Sequence, residues 1–286
     1  MDAPPEQEGC LAFIRVAGYL EAMQLNAPRI IEADLESGFL LLTDLGAEQY
    51  LVRLTADPGA ASRLYGDAMD ALLLLQRRGA AYQSSLPPYD ENLLRSELAL
   101  FWDWLCNTHL RLSLDESDLA EWCVCCDMLV ANALNQPQVF VHRDYHSRNL
   151  MVTSENNPGI LDFQDAVEGP LTYDLVSLLK DCYVRWPAAR VRKWALEYYA
   201  RLPETVREPV GELHFCRYFD LMGVQRHLKA TGIFCRLQHR DGKAAFLADV
   251  PRTLEYIVEL GPQYSELGFI ARFIKDRVLP AWGKEP

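Results

Sequence analysis

Two carboxylates and one amide lie close together in the chain, at spacings that suit the transfer of a phosphoryl group. Asn149 follows Asp144 by five residues, and Asp162 lies thirteen residues beyond that amide. A carboxylate on a loop between apolar strands can accept a hydroxyl proton or orient the hydroxyl for in-line attack. Amide and carboxylate oxygens are ligands that Mg²⁺ prefers. We therefore predict that Asp144 acts on an acceptor hydroxyl, and that Asn149 and Asp162 hold Mg²⁺.

The complete pattern is HxDxxxxN from His142 to Asn149, followed by the dipeptide Asp162-Phe163. It is typical of a kinase catalytic loop and of the metal-binding turn that follows such a loop. The first half alone could arise by chance, but both halves joined by a hairpin with residues 156–159 at its tip are specific. We argue further that a carboxylate after the buried strand residues before Asp162 is costly unless it is paired or metal-bound. We interpret His142 as a buried histidine that shapes the loop.

Charge and composition exclude several classes of protein. The 286 residues include 28 basic and 40 acidic side chains, a formal charge of −12. A nucleic-acid surface needs clustered Lys and Arg, so we expect none, whereas a neutral or cationic small substrate is permitted. No apolar run approaches the ~20 residues that span a bilayer, and the acidic, Pro-rich start is unlike a secretory signal. We expect a cytoplasmic monomer that binds no membrane, with reduced core cysteines, including the isolated pair Cys123 and Cys126.

The order of the predicted elements indicates an α+β fold. Two strands, residues 29–33 and 38–42, follow a first helix over residues 6–23, and short strands occupy residues 139–163. Helices are predicted over residues 63–78, 93–110, 117–135 with Ser117 as N-cap, 172–183, 188–201, 212–231, 243–260 and 262–278. We predict a small nucleotide-binding lobe over residues 1–46, a hinge near residue 44, and a large, mainly helical catalytic and substrate-binding lobe over residues 47–286.

Residues 142–149, together with Asp162, resemble the aminoglycoside phosphotransferase and choline kinase group, the small-molecule relatives of the protein kinases. His146 matches a histidine of that group's loop, whereas Arg143 stands where the group usually has glycine. The resemblance implies a protein-kinase-like two-lobe fold, ATP and Mg²⁺ as cofactors, and Asp144 as the catalytic base. We add His146 and Arg148 of the same loop to the catalytic residues.

The same resemblance assigns two supporting regions. It implies that the backbone of Thr43, Asp44, Leu45 and Gly46 forms the hinge that meets adenine, and that Asp174 braces the catalytic loop from the start of a helix. Only twelve residues separate Asp162 from Asp174. A regulated protein kinase carries an activation segment there, so we expect a small-molecule kinase without such a switch.

A narrower likeness extends over nearly the whole chain. Residues 1–6, 40–46, 97–104 and 225–234 resemble the bacterial anomeric sugar kinases of peptidoglycan recycling, which phosphorylate the C1 hydroxyl of N-acetylmuramate and N-acetylglucosamine. A small sugar is therefore the expected partner. A bidentate arginine suits a lactyl carboxylate, so Arg226 with His227 is predicted to recognise it, and Glu97 and Asp165 to hold sugar hydroxyls. The alternative for the basic side chains of residues 226–229 is a solvated helix face.

Two rival functions stay open, as does the choice between ATP and GTP. An aminoglycoside O-phosphotransferase would suit the acidic charge, because its substrates are polycations. The other rival is a non-catalytic, kinase-like binding protein, because the N-terminal part of the sequence departs from the pattern of the family. Members of the family place a strand hairpin over the ATP phosphates, ahead of the segment that matches residues 1–5. We therefore expect a truncated small lobe and a phosphate site open to water.

Overall fold

The computed structural model of the protein describes residues 10–283, which are mainly helical. The α-helices are α1 (Cys10–Ala22), α2 (Tyr50–Ala56), α3 (Ala61–Gly79), α4 (Glu91–Leu100), α5 (Glu116–Leu134), α6 (Tyr173–Leu179), α7 (Ala188–Ala200), α8 (Glu204–Val210), α9 (Glu212–Asp241), α10 (Val250–Leu260), α11 (Gly268–Phe273) and α12 (Leu279–Trp282). The strands are β1 (Ile30–Asp34), β2 (Phe39–Leu42), β3 (Gln138–Val141), β4 (Leu150–Met151), β5 (Gly159–Ile160) and β6 (Val167–Pro170). None of the helices among these residues is both long and apolar enough to cross a membrane.

The elements before residue 80 follow the prediction with one omission. Strands β1 and β2 pair antiparallel as a hairpin, and α1 and α3 lie where helical periodicity placed them. The part of the first predicted helix before Cys10 lies outside the described residues. Helix α2 was not predicted. It has only seven residues, and its N-cap, Gln49, makes no capping bond through its side chain, so the usual start signal is missing.

The N-cap predicted for α5 is wrong by two residues. Asp115 caps this helix, because its carboxylate accepts the Asp118 backbone N–H at 2.9 Å. The Asp118 carboxylate accepts the Asp115 N–H in return, at 3.4 Å. This reciprocal capping box satisfies two backbone donors, whereas Ser117 would satisfy one at best, so the helix begins at Glu116.

Two small sheets frame the loop that contains Asp144. The predicted hairpin is confirmed, since β4 and β5 pair antiparallel. Strand β3 pairs antiparallel with β6, which was not predicted. The sequence of β6, Val-Glu-Gly-Pro, contains two residues that are poor strand formers, and only pairing with the distant β3 makes it a strand.

The ends of α6 and α9 differ from the prediction, and α8 was not predicted. Helix α6 stops at Leu179 rather than at residue 183, because Lys180 leaves the helical conformation. Helix α9 runs to Asp241, ten residues past the predicted end, although Gly232 in its middle looks like a stop signal. A Cβ at Gly232 would lie 2.3 Å from the Leu100 backbone, so this glycine permits close packing of α9 against the end of α4. Helix α8 lies between the helices predicted over residues 188–201 and 212–231, and the sequence pattern did not predict it.

The chain divides into two compact units. One contains residues 1–88 and 137–212, and therefore all the strands, the loop with Asp144 and the hinge segment. The other contains residues 89–136 and 213–286, with α4, α5 and most of α9. Each has its own buried aromatic side chains, including Phe140 and Phe163 in the first and Phe101 and Phe215 in the second. The lobe boundary at residue 46 stays a prediction.

Candidate active site

Residues 142–149, the catalytic loop, turn tightly between β3 and β4. The His146 backbone N–H donates to the Asp144 carbonyl at 3.0 Å, and the Asn149 N–H donates to the His146 carbonyl at 2.9 Å. The Asp144 side chain remains 40% exposed. A carboxylate that is held by its own backbone and still open to solvent can reach a hydroxyl on a bound molecule.

The Asn149 amide links the two predicted acidic residues. Its Nδ2 donates to the Asp144 carbonyl at 3.1 Å and to Asp162 Oδ2 at 3.0 Å. The Leu161 N–H donates to the Asn149 carbonyl at 2.9 Å, which ties the next strand to the loop. The hairpin therefore brings Asp144, Asn149 and Asp162 together, although Asp162 lies eighteen residues after Asp144.

Our argument from the cost of burying Asp162 is wrong, because its side chain is exposed. The strain lies in the Asp162 backbone instead. Its φ is 64°, a left-handed value that residues other than glycine rarely adopt. Gln164 Nε2 donates to Asp162 Oδ1 at 2.9 Å, so the Asp162 carboxylate accepts bonds from two amides. An exposed carboxylate beside a second oxygen-bearing side chain is a donor set that suits a hard cation.

His142 is fully buried, and its role follows from that burial. Its Nδ1 accepts the Asp144 backbone N–H at 3.2 Å. Burial lowers the pKa of His142 to about 4, although Asp144 and Asp162 nearby raise it in part. The ring is therefore neutral at physiological pH and poorly suited to carry a proton, in agreement with its interpretation as a residue that shapes the loop.

Asp174, in the first turn of α6, is buried and contacts the start of the catalytic loop. Its Oδ2 accepts the His142 N–H at 2.7 Å, and its Oδ1 accepts the Arg143 N–H at 3.0 Å. Arg143 has a φ of 75°, in the region that favours glycine. These two charge-assisted bonds offset the cost of an arginine at the position where the aminoglycoside phosphotransferase and choline kinase group usually has glycine. They are the contacts that a bracing role requires.

His146 and Arg148 both lie against Tyr183. The Arg148 guanidinium is 4.1 Å from the centroid of the Tyr183 ring, a cation–π contact. The His146 ring meets Tyr183 edge-on at 5.4 Å, and its Nε2 lies 4.0 Å from Asp144 Oδ1. His146 is thus a neighbour of Asp144, Arg148 shares with it the contact to Tyr183, and the catalytic roles of both stay predictions.

The predicted hinge forms a turn that its own side chain supports. Asp44 Oδ1 accepts the Gly46 N–H at 2.8 Å, and Gly46 has a φ of 90°, which requires glycine. Thr43 Oγ1 accepts the Arg29 N–H at 2.9 Å, which joins the hinge to the start of β1. A cleft of about 450 Å³ runs along Thr43, Asp44 and Leu45 between the end of α1 and residue 156.

The four side chains predicted to recognise a sugar divide between the two compact units. Asp165, in the first, is exposed, and its backbone carbonyl accepts a 3.5 Å bond from Arg143 Nη1. Glu97, Arg226 and His227 belong to the second, where burial of the basic side chains excludes the alternative of a solvated helix face. Arg226 is 6% exposed and His227 is 1% exposed. The His227 ring stacks on Tyr256 at 4.7 Å.

Glu97 is part of a buried group that we call the α9 cluster, made of Tyr89, Glu97, Gln225 and Lys229. Lys229 Nζ lies 2.8 Å from Glu97 Oε1. The other carboxylate oxygen of Glu97 accepts the Tyr89 hydroxyl and, at 3.2 Å, Gln225 Nε2. Both oxygens of Glu97 are therefore engaged within the protein, which is a structural role that competes with the predicted contact to sugar hydroxyls.

Asp181 was missed by the sequence analysis. It is fully buried, two residues after the end of α6. Its carboxylate accepts the Ser147 N–H at 3.0 Å and the Tyr183 N–H at 2.9 Å. One signal was present in the sequence, because an acid at a helix C-terminus is unfavourable for the helix dipole and needs other partners.

The comparisons with known proteins agree with this geometry. The model of the phosphotransferase enzyme family matches residues 1–209. An N-acetylmuramate/N-acetylglucosamine kinase of Pseudomonas aeruginosa is 50% identical, over 94% of this chain and 79% of that protein. An enzyme of the same name from Pseudomonas putida is 47% identical, over 94% and 79%. A solved ADP-bound aminoglycoside phosphotransferase superposes with a TM-score of 0.53 at 15% identity, over 87% of this chain and 81% of that one.

The structural likeness, at such low identity, shows the fold, and the predicted protein-kinase-like α+β fold is confirmed. The resemblance inferred from the catalytic loop and from the four segments elsewhere in the chain is also confirmed. The family match covers most of the chain, including residues 142–149 and Asp162. The chain therefore belongs to the phosphotransferase enzyme family.

Proposed function

We propose that the protein is an ATP-dependent kinase that transfers a phosphoryl group to the anomeric C1 hydroxyl of N-acetylmuramate and N-acetylglucosamine. The observation that carries the proposal is the convergence of Asp144, Asn149 and Asp162 around one amide, in a chain 50% identical to a kinase named for these sugars. The function in cell-wall recycling follows from that choice of substrates.

Asp144 is the proposed base. It accepts the proton of the C1 hydroxyl as the sugar oxygen attacks the γ-phosphorus of ATP in line with the leaving ADP oxygen. The backbone N–H of Asp144 donates to neutral His142, so the residue is held while its side chain stays exposed. Positioning of this kind makes the attack effectively unimolecular and is the main contribution that a protein makes to phosphoryl transfer.

Asn149 and Asp162 are the proposed ligands of Mg²⁺. The donor set fits, because a carboxamide and an exposed carboxylate supply the hard oxygen atoms that this ion takes. When bound, the ion neutralises charge on the β- and γ-phosphates. We place the adenine of ATP along the backbone of Thr43, Asp44, Leu45 and Gly46, where an Asx turn fixes the chain.

Recognition of the sugar is assigned to Arg226, His227 and Asp165, and a contact of Glu97 with a sugar hydroxyl is the alternative to its structural role in the α9 cluster. Arginine pairs with a carboxylate through two parallel bonds, so Arg226 is the proposed partner of the lactyl group that N-acetylmuramate has and N-acetylglucosamine lacks. Burial of Arg226 supports this assignment, since a guanidinium that is withdrawn from water binds an anion more strongly than a solvated one. We also propose that the protein acts as a monomer in the cytoplasm.

Initial rates of ADP release test the substrate class. The panel contains N-acetylmuramate, N-acetylglucosamine and kanamycin, each with ATP and Mg²⁺, and GTP replaces ATP in a parallel set. We expect turnover with both amino sugars and much slower turnover with kanamycin. Faster turnover with kanamycin would contradict the proposal and favour an aminoglycoside phosphotransferase, which the charge of −12 would suit. ATP binding without turnover on any acceptor would favour a non-catalytic binding protein.

A further inference from the structure

Helix α6 presents a buried carboxylate to the catalytic loop from each of its ends. Asp174 lies in its first turn and Asp181 two residues beyond its last, and both are fully buried. Asp174 accepts the N–H groups of His142 and Arg143, before Asp144 in the chain. Asp181 accepts the N–H of Ser147, after Asp144. The loop is therefore tied at both ends to the same helical segment.

The second bond of Asp181 extends this support to the side chains around Asp144. Oδ1 of Asp181 accepts the Tyr183 N–H at 2.9 Å, while Oδ2 accepts the Ser147 N–H at 3.0 Å. One carboxylate thus fixes the spacing between the loop and the Tyr183 backbone. The Tyr183 ring in turn lies under the Arg148 guanidinium and against the His146 ring.

The cost of this arrangement indicates a specific role. A buried carboxylate is expensive unless it is fully hydrogen-bonded, and the end of a helix is an unfavourable place for negative charge. A neutral side chain would cap the end of α6 at lower cost. An ionised carboxylate, however, accepts two N–H groups at once, and an amide side chain has only one acceptor oxygen.

We propose that Asp181 is a second positioning residue for phosphoryl transfer, which holds Ser147 and Tyr183 so that the Tyr183 ring keeps its contacts with Arg148 and with His146, the neighbour of Asp144. This inference rests on the proposed kinase function. It predicts that loss of the carboxylate disturbs the chemical step more than the binding of either substrate, because Asp181 contacts the loop backbone and is itself buried.

The test combines kinetics with hydrogen exchange on the full chain. For Asp181→Asn we expect kcat to fall about tenfold or more while the KM for ATP and for the sugar each change less than about threefold. Amide exchange should rise in the peptide that covers residues 142–149, without any substrate present. The matched control is Asp220→Asn, which removes the charge of another buried carboxylate, one that belongs to the second compact unit and accepts the Tyr264 hydroxyl at 2.9 Å.

A second pair of variants decides the matter if Asp181→Asn does not fold. Tyr183→Phe keeps the ring and its backbone N–H, whereas Tyr183→Leu removes the platform under Arg148, so kcat should be about fivefold or more lower in Tyr183→Leu than in Tyr183→Phe. Equal kcat in these two variants would overturn the role of the ring. A loss in Asp181→Asn no larger than in Asp220→Asn, with unchanged exchange at residues 142–149, would overturn the role of Asp181.

The exchange measurement separates this inference from the proposed function. If the wild type phosphorylates neither amino sugar, the proposed function fails. Increased exchange confined to residues 142–149 in Asp181→Asn would still establish that Asp181 positions the loop.

Discussion

The catalytic loop and the α9 cluster both collect charged side chains, but they hold them in opposite ways. Asp144 in the loop and Asp162 beside it keep exposed carboxylates, and backbone groups hold the loop around Asp144. In the α9 cluster, Glu97 and Lys229 are buried and each satisfies the other. We therefore expect the loss of a charge at the loop to affect the proposed chemistry strongly and the fold little, and the loss of a charge in the α9 cluster to lower stability.

Replacement of Asp144 should separate activity from stability most widely. For Asp144→Ala we expect kcat to fall by about 10²- to 10⁴-fold, the usual contribution of a positioned base. The free energy of unfolding should change by less than about 0.5 kcal/mol, because the side chain is 40% exposed. Steady-state kinetics and urea denaturation measure the two quantities, and Asp276→Asn, an exposed acid outside the loop, is the control. Substantial turnover in Asp144→Ala would refute the assignment of the base.

Removal of one charge from the α9 cluster should have the reverse effect. Glu97→Ala leaves Lys229 buried without its carboxylate, and we expect a loss of about 3–5 kcal/mol in the free energy of unfolding. The double variant Glu97→Gln with Lys229→Met should recover part of that loss. Glu91→Gln, on the same helix but in an exposed pair with Arg95, should cost less than about 1 kcal/mol. If Glu97→Gln raised the KM for the sugar and left stability unchanged, Glu97 would be a recognition residue rather than a structural one.

Stability should also depend on pH through His142. Its pKa is about 4 in the folded protein against an ordinary value of 6.5, so the unfolded chain binds more protons between these values. The free energy of unfolding should therefore fall as the pH drops from 6.5 towards 4, by roughly 3 kcal/mol in total. Denaturation curves at several pH values measure this slope. His142→Gln should flatten it, whereas His214→Gln, at an exposed position, should not.

The two regions also differ in how well sequence patterns predict them. The loop residues and Asp162 lie within a stretch of twenty-one residues that starts at His142, and a local motif describes them completely. Glu97 and Lys229 are brought together only by the packing of α4 against α9, which no local pattern encodes. For the same reason β6 was missed, since its strand character depends on distant β3.

The helix ends depend on side-chain hydrogen bonds and packing, which override hydrophobic periodicity. Asp115 rather than Ser117 caps α5, because Asp115 and Asp118 form reciprocal hydrogen bonds between side chain and backbone. Gly232 does not end α9. It is a glycine because the Leu100 backbone occupies the space that a side chain would fill. The first outcome depends on a partner only three residues away, a spacing that the sequence contains, whereas the second depends on a partner that becomes visible only once the chain is folded.

A smaller effect is expected at the proposed metal ligand. Asp162→Asn keeps the shape of the side chain and removes its charge, so the Mg²⁺ concentration for half-maximal turnover should rise about tenfold or more. Asp165→Asn, three residues later and also exposed, should leave that concentration unchanged and raise the KM for the sugar. Magnesium titrations at saturating ATP distinguish the two variants. An unchanged requirement in Asp162→Asn would remove it from the metal site and weaken the contrast between an exposed, chemical loop and a buried, structural cluster.

The most direct test of the account is the position of the phosphate in the product. The wild type, ATP, Mg²⁺ and N-acetylglucosamine are incubated together, and ³¹P nuclear magnetic resonance records the products. We predict equal amounts of ADP and of a sugar phosphate whose phosphorus couples to the anomeric proton, formed far more slowly by Asp144→Asn. Phosphate on another hydroxyl, or ATP consumption that leaves the sugar unmodified, would contradict the claim that this loop phosphorylates the C1 hydroxyl of an amino sugar.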